Sequence, residues 1–244
     1  MTKLQKRCCL IPQAVIFDLW ETLITAYDPD WDPQPTVADR LSIDNQAFTK
    51  RWSESRLRRM TGEIPDYPTA LREIASSVGR RPSETVIQQL FSERKEILST
   101  PYLHVTADII QMLAAIQNRS IKIGLLSNAS VEEVSGWDQS ELVPFFDQVV
   151  FSYQVGLAKP DPSIYYLTCD RLKSLPDRTV FVGDGGSDEL KGARIAGLRP
   201  FWATWFLDCW PLNMRRDRGY ATQFSRLQQP VEVVDMVGNS NWDG

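Results

Sequence analysis

Histidine is nearly absent from this chain: a single one, His104, serves 244 residues. A Ser-His-acid triad or a histidine-rich metal centre would have to rest on that one side chain, which lies in no recognisable motif. Cysteine is scarce as well. The four thiols, Cys8, Cys9, Cys169 and Cys209, are too few for a disulfide framework in a chain this long and lack the C-x-x-C spacing of a zinc site. Reduced thiols are therefore expected. No apolar run approaches the roughly 20 residues of a membrane span. The basic start, MTKLQKRCCLIPQAVIFDLW, is interrupted by Pro12 and Gln13 and offers no small-residue cleavage site, so a cytoplasmic protein is expected. An excess of positive charge is missing too: 27 Lys and Arg face 31 Asp and Glu, for a net charge of −4. That balance argues against a nucleic-acid footprint. A small-molecule substrate is the expected partner, with neither nucleic acid nor membrane; oligomeric state is left open.

What is present is a hydrophobic content of 43%, enough for a buried core, in a length that suits one core with an insert. Short apolar runs ending in polar or glycine-rich turns recur at 14–17, 121–126, 148–151, 179–182 and 199–202, and read as buried parallel strands. Helix-compatible spacing fills 106–118, 131–139, 162–172 and 188–196. Strand and helix thus alternate from about residue 105 onward, the pattern of an α/β fold with an open, doubly wound parallel sheet. Residues 24–104 differ: 39–60, 68–78 and 83–98 read as helical and no strand is convincing. This block follows the first strand directly, so it is expected to be an inserted helical domain able to act as a lid. The segment 27–35, rich in Pro and Asp, suits a hinge, and 207–219, with Arg215 and Arg218, reads as a surface loop before a last helix at 230–237.

In open α/β sheets, ligands gather at the carboxyl ends of the strands. Reactive side chains stand there repeatedly: Asp18 ends AVIF, Ser127 ends IGLL, Lys159 follows VVFSYQVGLA after a turn, and Asp184 follows VFVG. An ionised carboxylate such as Asp18 needs no activating base to act as a nucleophile. Ser130 and Glu133 have capping-box spacing and would open a helix whose N–H groups favour an anion. Asp161 and Pro162 suit the N-cap and first position of a helix that fixes Lys159. Asp184 and Asp188, in a glycine-rich turn, would crowd Asp18 with carboxylates that repel unless a cation joins them, and an octahedral oxygen site suits Mg²⁺.

The segments FDLWETL, LLSNAS, GLAKPDP and VGDGGSDEL resemble, in order and spacing, the four motifs of the haloacid dehalogenase (HAD) superfamily, and the helical insert resembles its type 1 cap. The resemblance implies a Rossmann-like core over 1–23 and 105–244 with a helical cap over 24–104. It also implies that Asp18, Ser127 and Lys159 are catalytic, and that Ser127, Asn128 and Lys159 bind the substrate. Asp18, the backbone carbonyl of Trp20, Asp184 and Asp188 would hold Mg²⁺.

One position departs from the family. Its phosphatases carry a second aspartate two residues after the nucleophile, as general acid and base, where this chain has Trp20. Losing such proton transfer costs roughly 10²–10⁴ in rate. Family dehalogenases lack that aspartate, because a halide leaves without a proton, but they need no metal and their fourth motif is unlike VGDGGSDEL. The expected function is a Mg²⁺-dependent phosphatase working through an aspartyl-phosphate on a small phosphorylated metabolite. A metal-independent 2-haloacid dehalogenase and a catalytically weak phospho-ligand-binding protein remain as alternatives. Glu21, next to Trp20, could substitute for the missing acid, although neighbouring side chains of an extended segment face opposite ways.

Overall fold

The computed structural model describes residues 11–26, 36–210 and 219–238. Cys8, Cys9, the hinge expected at 27–35 and the basic residues Arg215 and Arg218 lie outside them. Six strands form one parallel sheet: β1 (Ala14–Phe17), β2 (Lys122–Ser127), β3 (Gln148–Phe151), β4 (Thr179–Gly183), β5 (Arg199–Ala203) and β6 (Ser225–Leu227). Their order across the sheet is β3-β2-β1-β4-β5-β6. The chain therefore winds outward from β1 in one direction and from β4 in the other, so the switch point lies between two central strands. The pairing Phe17↔Val182 sets the residues that follow, Asp18 and Gly183, side by side at the carboxyl edge. Strand β6, a three-residue edge, carries too little apolar periodicity to be anticipated from the sequence.

Among the described residues of 24–104 there are five α-helices: α1 (Val37–Arg40), α2 (Asn45–Glu54), α3 (Arg56–Met60), α4 (Tyr67–Ser77) and α5 (Glu84–Ser99). Local capping explains where several begin, since Thr36, Asp44, Asp66 and Ser83 each accept a backbone N–H with their side chain. The continuous helix expected over 39–60 is broken into three, because Ser42 takes a left-handed φ of 55° and the chain restarts at the Asp44 cap. Leu41, Ile43, Tyr67, Leu71, Ile74, Ile87 and Leu90 give this insert its own apolar core.

The sheet is covered on both faces. Helix α6 (Ala107–Gln117) packs against β2 and against the C-terminal helix; after β3 come α7 (Ser152–Val155) and α8 (Pro162–Leu172), which packs on β2 and β3. Helices α9 (Glu189–Ile195) and α10 (Val231–Gly238) complete the layers, giving one apolar cluster on each side of β1. This is the α/β Rossmann-like fold expected from the strand–helix alternation. The helix expected over 131–139 is instead two 3₁₀ turns, Glu132–Val134 and Trp137–Gln139. None of the helices among the described residues is long and apolar enough to cross a membrane.

Candidate active site

Asp18 follows the last residue of β1 and is only 6% exposed. Its N–H donates to Val182 O at 2.9 Å, which ties it to the neighbouring strand. The chain then turns sharply: the amides of Leu23 and Ile24 return to Leu19 O at 2.8 and 3.1 Å, and Glu21 adopts a left-handed φ of 59°. This turn swings the Trp20 ring edge-on against Tyr102, with centroids 5.7 Å apart, and leaves the buried Trp20 Nε1 without a partner.

The same turn removes Glu21 from the strand alternation expected for it. Its carboxylate accepts from Thr25 Oγ1 at 2.6 Å, Ala26 N at 3.0 Å and Trp210 Nε1 at 3.1 Å. Burial nevertheless pushes its pKa up to about 7, the nearby Asp184 adding to the shift and the three donors opposing it. A folded-state pKa raised above the unfolded value of 4.5 means the proton is held more tightly in the fold. Stability from this group is therefore complete below pH 4.5 and lost as pH rises through 7. The ceiling is about 3 kcal/mol, reduced by the partial exposure of the side chain. Glu21→Gln should have a smaller drop in urea midpoint between pH 5 and pH 8 than the parent; equal drops would remove the assignment.

Ser127 closes β2, is 1% exposed, and its buried Oγ has no hydrogen-bond partner among the described residues. A buried hydroxyl without a partner is costly unless something else is meant to fill the place. Asn128 is committed: its Nδ2 donates to Lys159 O and its Oδ1 accepts from Lys159 N, both at 2.8 Å. The side chain expected to touch substrate thus fixes the backbone of the lysine. The amides beyond it are also used, Ala129 N donating to Ser152 Oγ at 3.0 Å and Ser130 N to Glu133 Oε2 at 2.8 Å. The free helix N-terminus expected here therefore does not form.

Lys159 is buried, and its Nζ donates to Asp18 Oδ1 at 2.5 Å and also to Glu189 Oε2. Burial pulls the ammonium pKa down, but Asp18 and Glu189 together outweigh it and hold it above the ordinary value. Helix α8 anchors the preceding turn as expected, with Asp161 as N-cap and Pro162 as first residue.

After β4, Gly185 has a φ of 89° and its N–H donates to Glu189 Oε1 at 3.0 Å, while Gly186 N donates to Asp184 Oδ1 at 3.0 Å. A Cβ on Gly183 would sit 2.1 Å from Glu189 Oε1, so only glycine admits the carboxylate there. Asp18, Asp184 and Glu189 each bring a carboxylate oxygen within 4.8 Å of the others. Burial, then Asp18, raises Asp184 to about 6, and the same two causes raise Glu189 well above the usual carboxylate range.

Asp188, expected in this cluster, is not part of it. Ser187 and Asp188 are both left-handed, with φ of 56° and 53°. That double bend turns Asp188 outward to Lys191 Nζ at 3.0 Å and Tyr220 Oη at 3.2 Å, and points Glu189 inward from the first position of α9. The signal that could have found Glu189 was its place at the start of the helical segment ELKGARI, where a longer carboxylate reaches back to the strand end.

The donor set fits a small hard cation. One oxygen of Asp18 and one of Asp184 are engaged by Lys159 and Gly186 respectively, and the buried Asp18 and Glu189 with the half-buried Asp184 around the Lys159 ammonium leave an excess of negative charge. Such an arrangement is costly without a further cation.

The family model for haloacid dehalogenase-like hydrolases matches residues 12–197, and the chain belongs to that family. It is 31% identical to glyceraldehyde 3-phosphate phosphatase of Methanopyrus kandleri over 76% of this chain and 81% of that one. It is 26% identical to (S)-2-haloacid dehalogenase of Pseudomonas putida over 94% of this chain and 96% of the relative. Among solved structures, L-2-haloacid dehalogenase of Xanthobacter autotrophicus superposes with a TM-score of 0.60 at 20% identity, covering 93% of this chain and 99% of that one. The chain spans only 29% of pig (Sus scrofa) bifunctional epoxide hydrolase 2, to which it is 30% identical over 63% of its own length.

Proposed function

We propose that the protein is a Mg²⁺-dependent phosphatase acting on a small phosphorylated metabolite, with 1–23 and 105–244 as catalytic core and 24–104 as a type 1 helical cap. The observation that carries this reading is the ring of Asp18, Asp184 and Glu189 around one buried ammonium. Asp18, Asp184 and the backbone carbonyl of Trp20 would hold the cation, with Glu189 beside it. When bound, it would neutralise charge on the phosphoryl oxygens and on the carboxylates.

The chain's own residues supply the remaining chemistry. Asp18 accepts from Lys159 through one oxygen, and its second carboxylate oxygen attacks phosphorus; the new O–P bond forms as the ester P–O bond breaks. Ser127 donates its unpartnered hydroxyl to a phosphoryl oxygen, and Lys159 balances the charge shared between nucleophile and phosphoryl group. Asn128 sets the lysine's position through its backbone. Water then cleaves the aspartyl-phosphate at phosphorus, releasing phosphate and restoring the carboxylate.

Trp20 has no proton to give a departing alkoxide, so leaving groups that depart as anions should be strongly preferred. Aryl and acyl phosphates should turn over on the order of 10²-fold faster than sugar phosphates with Mg²⁺, and EDTA should stop both. Equal rates on alkyl and aryl esters would count against this account of Trp20.

Trp20 favours a second reading, metal-independent 2-haloacid dehalogenation, in which Asp18 attacks carbon and halide leaves unprotonated. Halide release from a 2-haloacid that persists in EDTA would replace the first reading with this one. Retention of phosphate binding without turnover of either substrate class would leave a phospho-ligand-binding protein.

A further inference from the structure

A second group of charges, apart from the Asp18–Lys159–Glu189 ring, joins the helical insert to the sheet. Arg94 on α5 directs Nε to Glu132 Oε1 and Nη2 to Glu133 Oε1, both at 3.4 Å. Its guanidinium is seated over Tyr67, 4.7 Å from the ring centroid, and Arg59 stacks at 3.5 Å on the adjoining Trp52. The other oxygen of Glu133 accepts from Ser130 N at 2.8 Å and Ser130 Oγ at 2.9 Å. The carbonyl of Glu133 accepts from Tyr102 Oη at 2.7 Å. One residue is thus gripped from the insert side by Arg94 and Tyr102, and in turn grips the loop 127–130. That loop carries Ser127 and also Asn128, whose amide fixes Lys159.

The grip has room to tighten. Charge-assisted N–H···O contacts ordinarily lie at about 2.7–2.9 Å, so both Arg94 contacts are long. Glu132 is 2% exposed and its Oε2 has no partner among the described residues, so the carboxylate that Arg94 faces is incompletely satisfied. The cations of this junction come from the insert and the carboxylates from the turn after β2, so its strength depends on where the insert sits.

We propose that Arg94 is a positioning residue: by way of Glu133 it holds loop 127–130 in place, coupling the seating of the insert to the geometry of Ser127 and Lys159. The kinetic consequence rests on the phosphoryl-transfer reading above; the mechanical coupling does not.

The test compares the parent with Arg94→Met and Arg94→Lys by hydrogen–deuterium exchange and by p-nitrophenyl phosphate kinetics with Mg²⁺. In Arg94→Met, amides across 128–134 should exchange about tenfold faster, the worth of one hydrogen bond to a charged group, while β2 and α6 stay as they were. A similar factor should be lost from kcat with KM little changed. Arg94→Lys keeps the charge without the fork and should recover part of both effects. Arg94→Met strands the buried Glu132, so the double variant Arg94→Met/Glu132→Gln serves if the single one does not fold, with the same expectation. Parent-like exchange across 128–134, or acceleration spread evenly over β2 and α6, would overturn the coupling. Faster loop exchange in a protein whose parent form hydrolyses no phosphate ester would support the coupling and count against the phosphatase reading.

Discussion

Asp18→Asn is expected to lower aryl phosphate turnover by about 10⁴-fold or more while leaving the folded state at least as stable as the parent. The asparagine keeps the shape of the side chain, so the hydrogen bond from its N–H to Val182 O and the packing at the end of β1 are retained. What disappears is the oxygen nucleophile. The stability expectation follows from the same ring of charges: Asp18 is the second cause, after burial, of the raised pKa of both Asp184 and Glu189. Removing its charge lets both titrate nearer the ordinary range, and Lys159 keeps Glu189 as partner. Turnover on p-nitrophenyl phosphate and urea unfolding at pH 7 check the two halves. A folded variant with more than a tenth of parental turnover would exclude Asp18 as the nucleophile.

Lys159→Met should be the most destabilising single change at this site, costing about 3–5 kcal/mol at neutral pH, because it strips a buried ammonium from three clustered carboxylates. Its pH dependence has a definite sign. Asp184 and Glu189 have folded-state pKa values raised above the unfolded ones, so the stability they carry is present at low pH and lost as pH rises through the folded values, about 6 for Asp184. Without the lysine those values move further up, and the variant should recover stability on acidification from pH 8 to pH 5. Adding Glu189→Gln should restore part of the loss at pH 8, a non-additivity that marks a shared network. A loss under about 1 kcal/mol at pH 8, or one independent of pH, would mean that the carboxylates are balanced by something other than Lys159.

Electrostatic balance explains why these side chains are held so tightly. The lysine backbone is clamped by Asn128, its amine by two carboxylates, and Glu189 by Gly185 N and the absence of a side chain on Gly183. A preorganised charge array of this kind does not need to rearrange as charge shifts during reaction.

The linear order of residues was enough to determine most of the alternation of strand and helix, the placement of Asp18, Ser127 and Asp184 at strand ends, and the family that these motifs mark. Those features are local: apolar runs bury themselves in the sheet, and the first polar residue after each run emerges at its carboxyl edge. Only the tertiary structure decided which acidic residue joins the ring. Asp188 and Glu189 are neighbours of like charge, and two left-handed residues, at 187 and 188, turn one outward and the other inward. Nor could the sequence show that Asn128 would be spent on Lys159, 31 positions away, or that Arg94 would meet Glu132 and Glu133 across 38 and 39. Side-chain pairing over such separations is settled by how packed elements face one another, and neither periodicity nor composition encodes it.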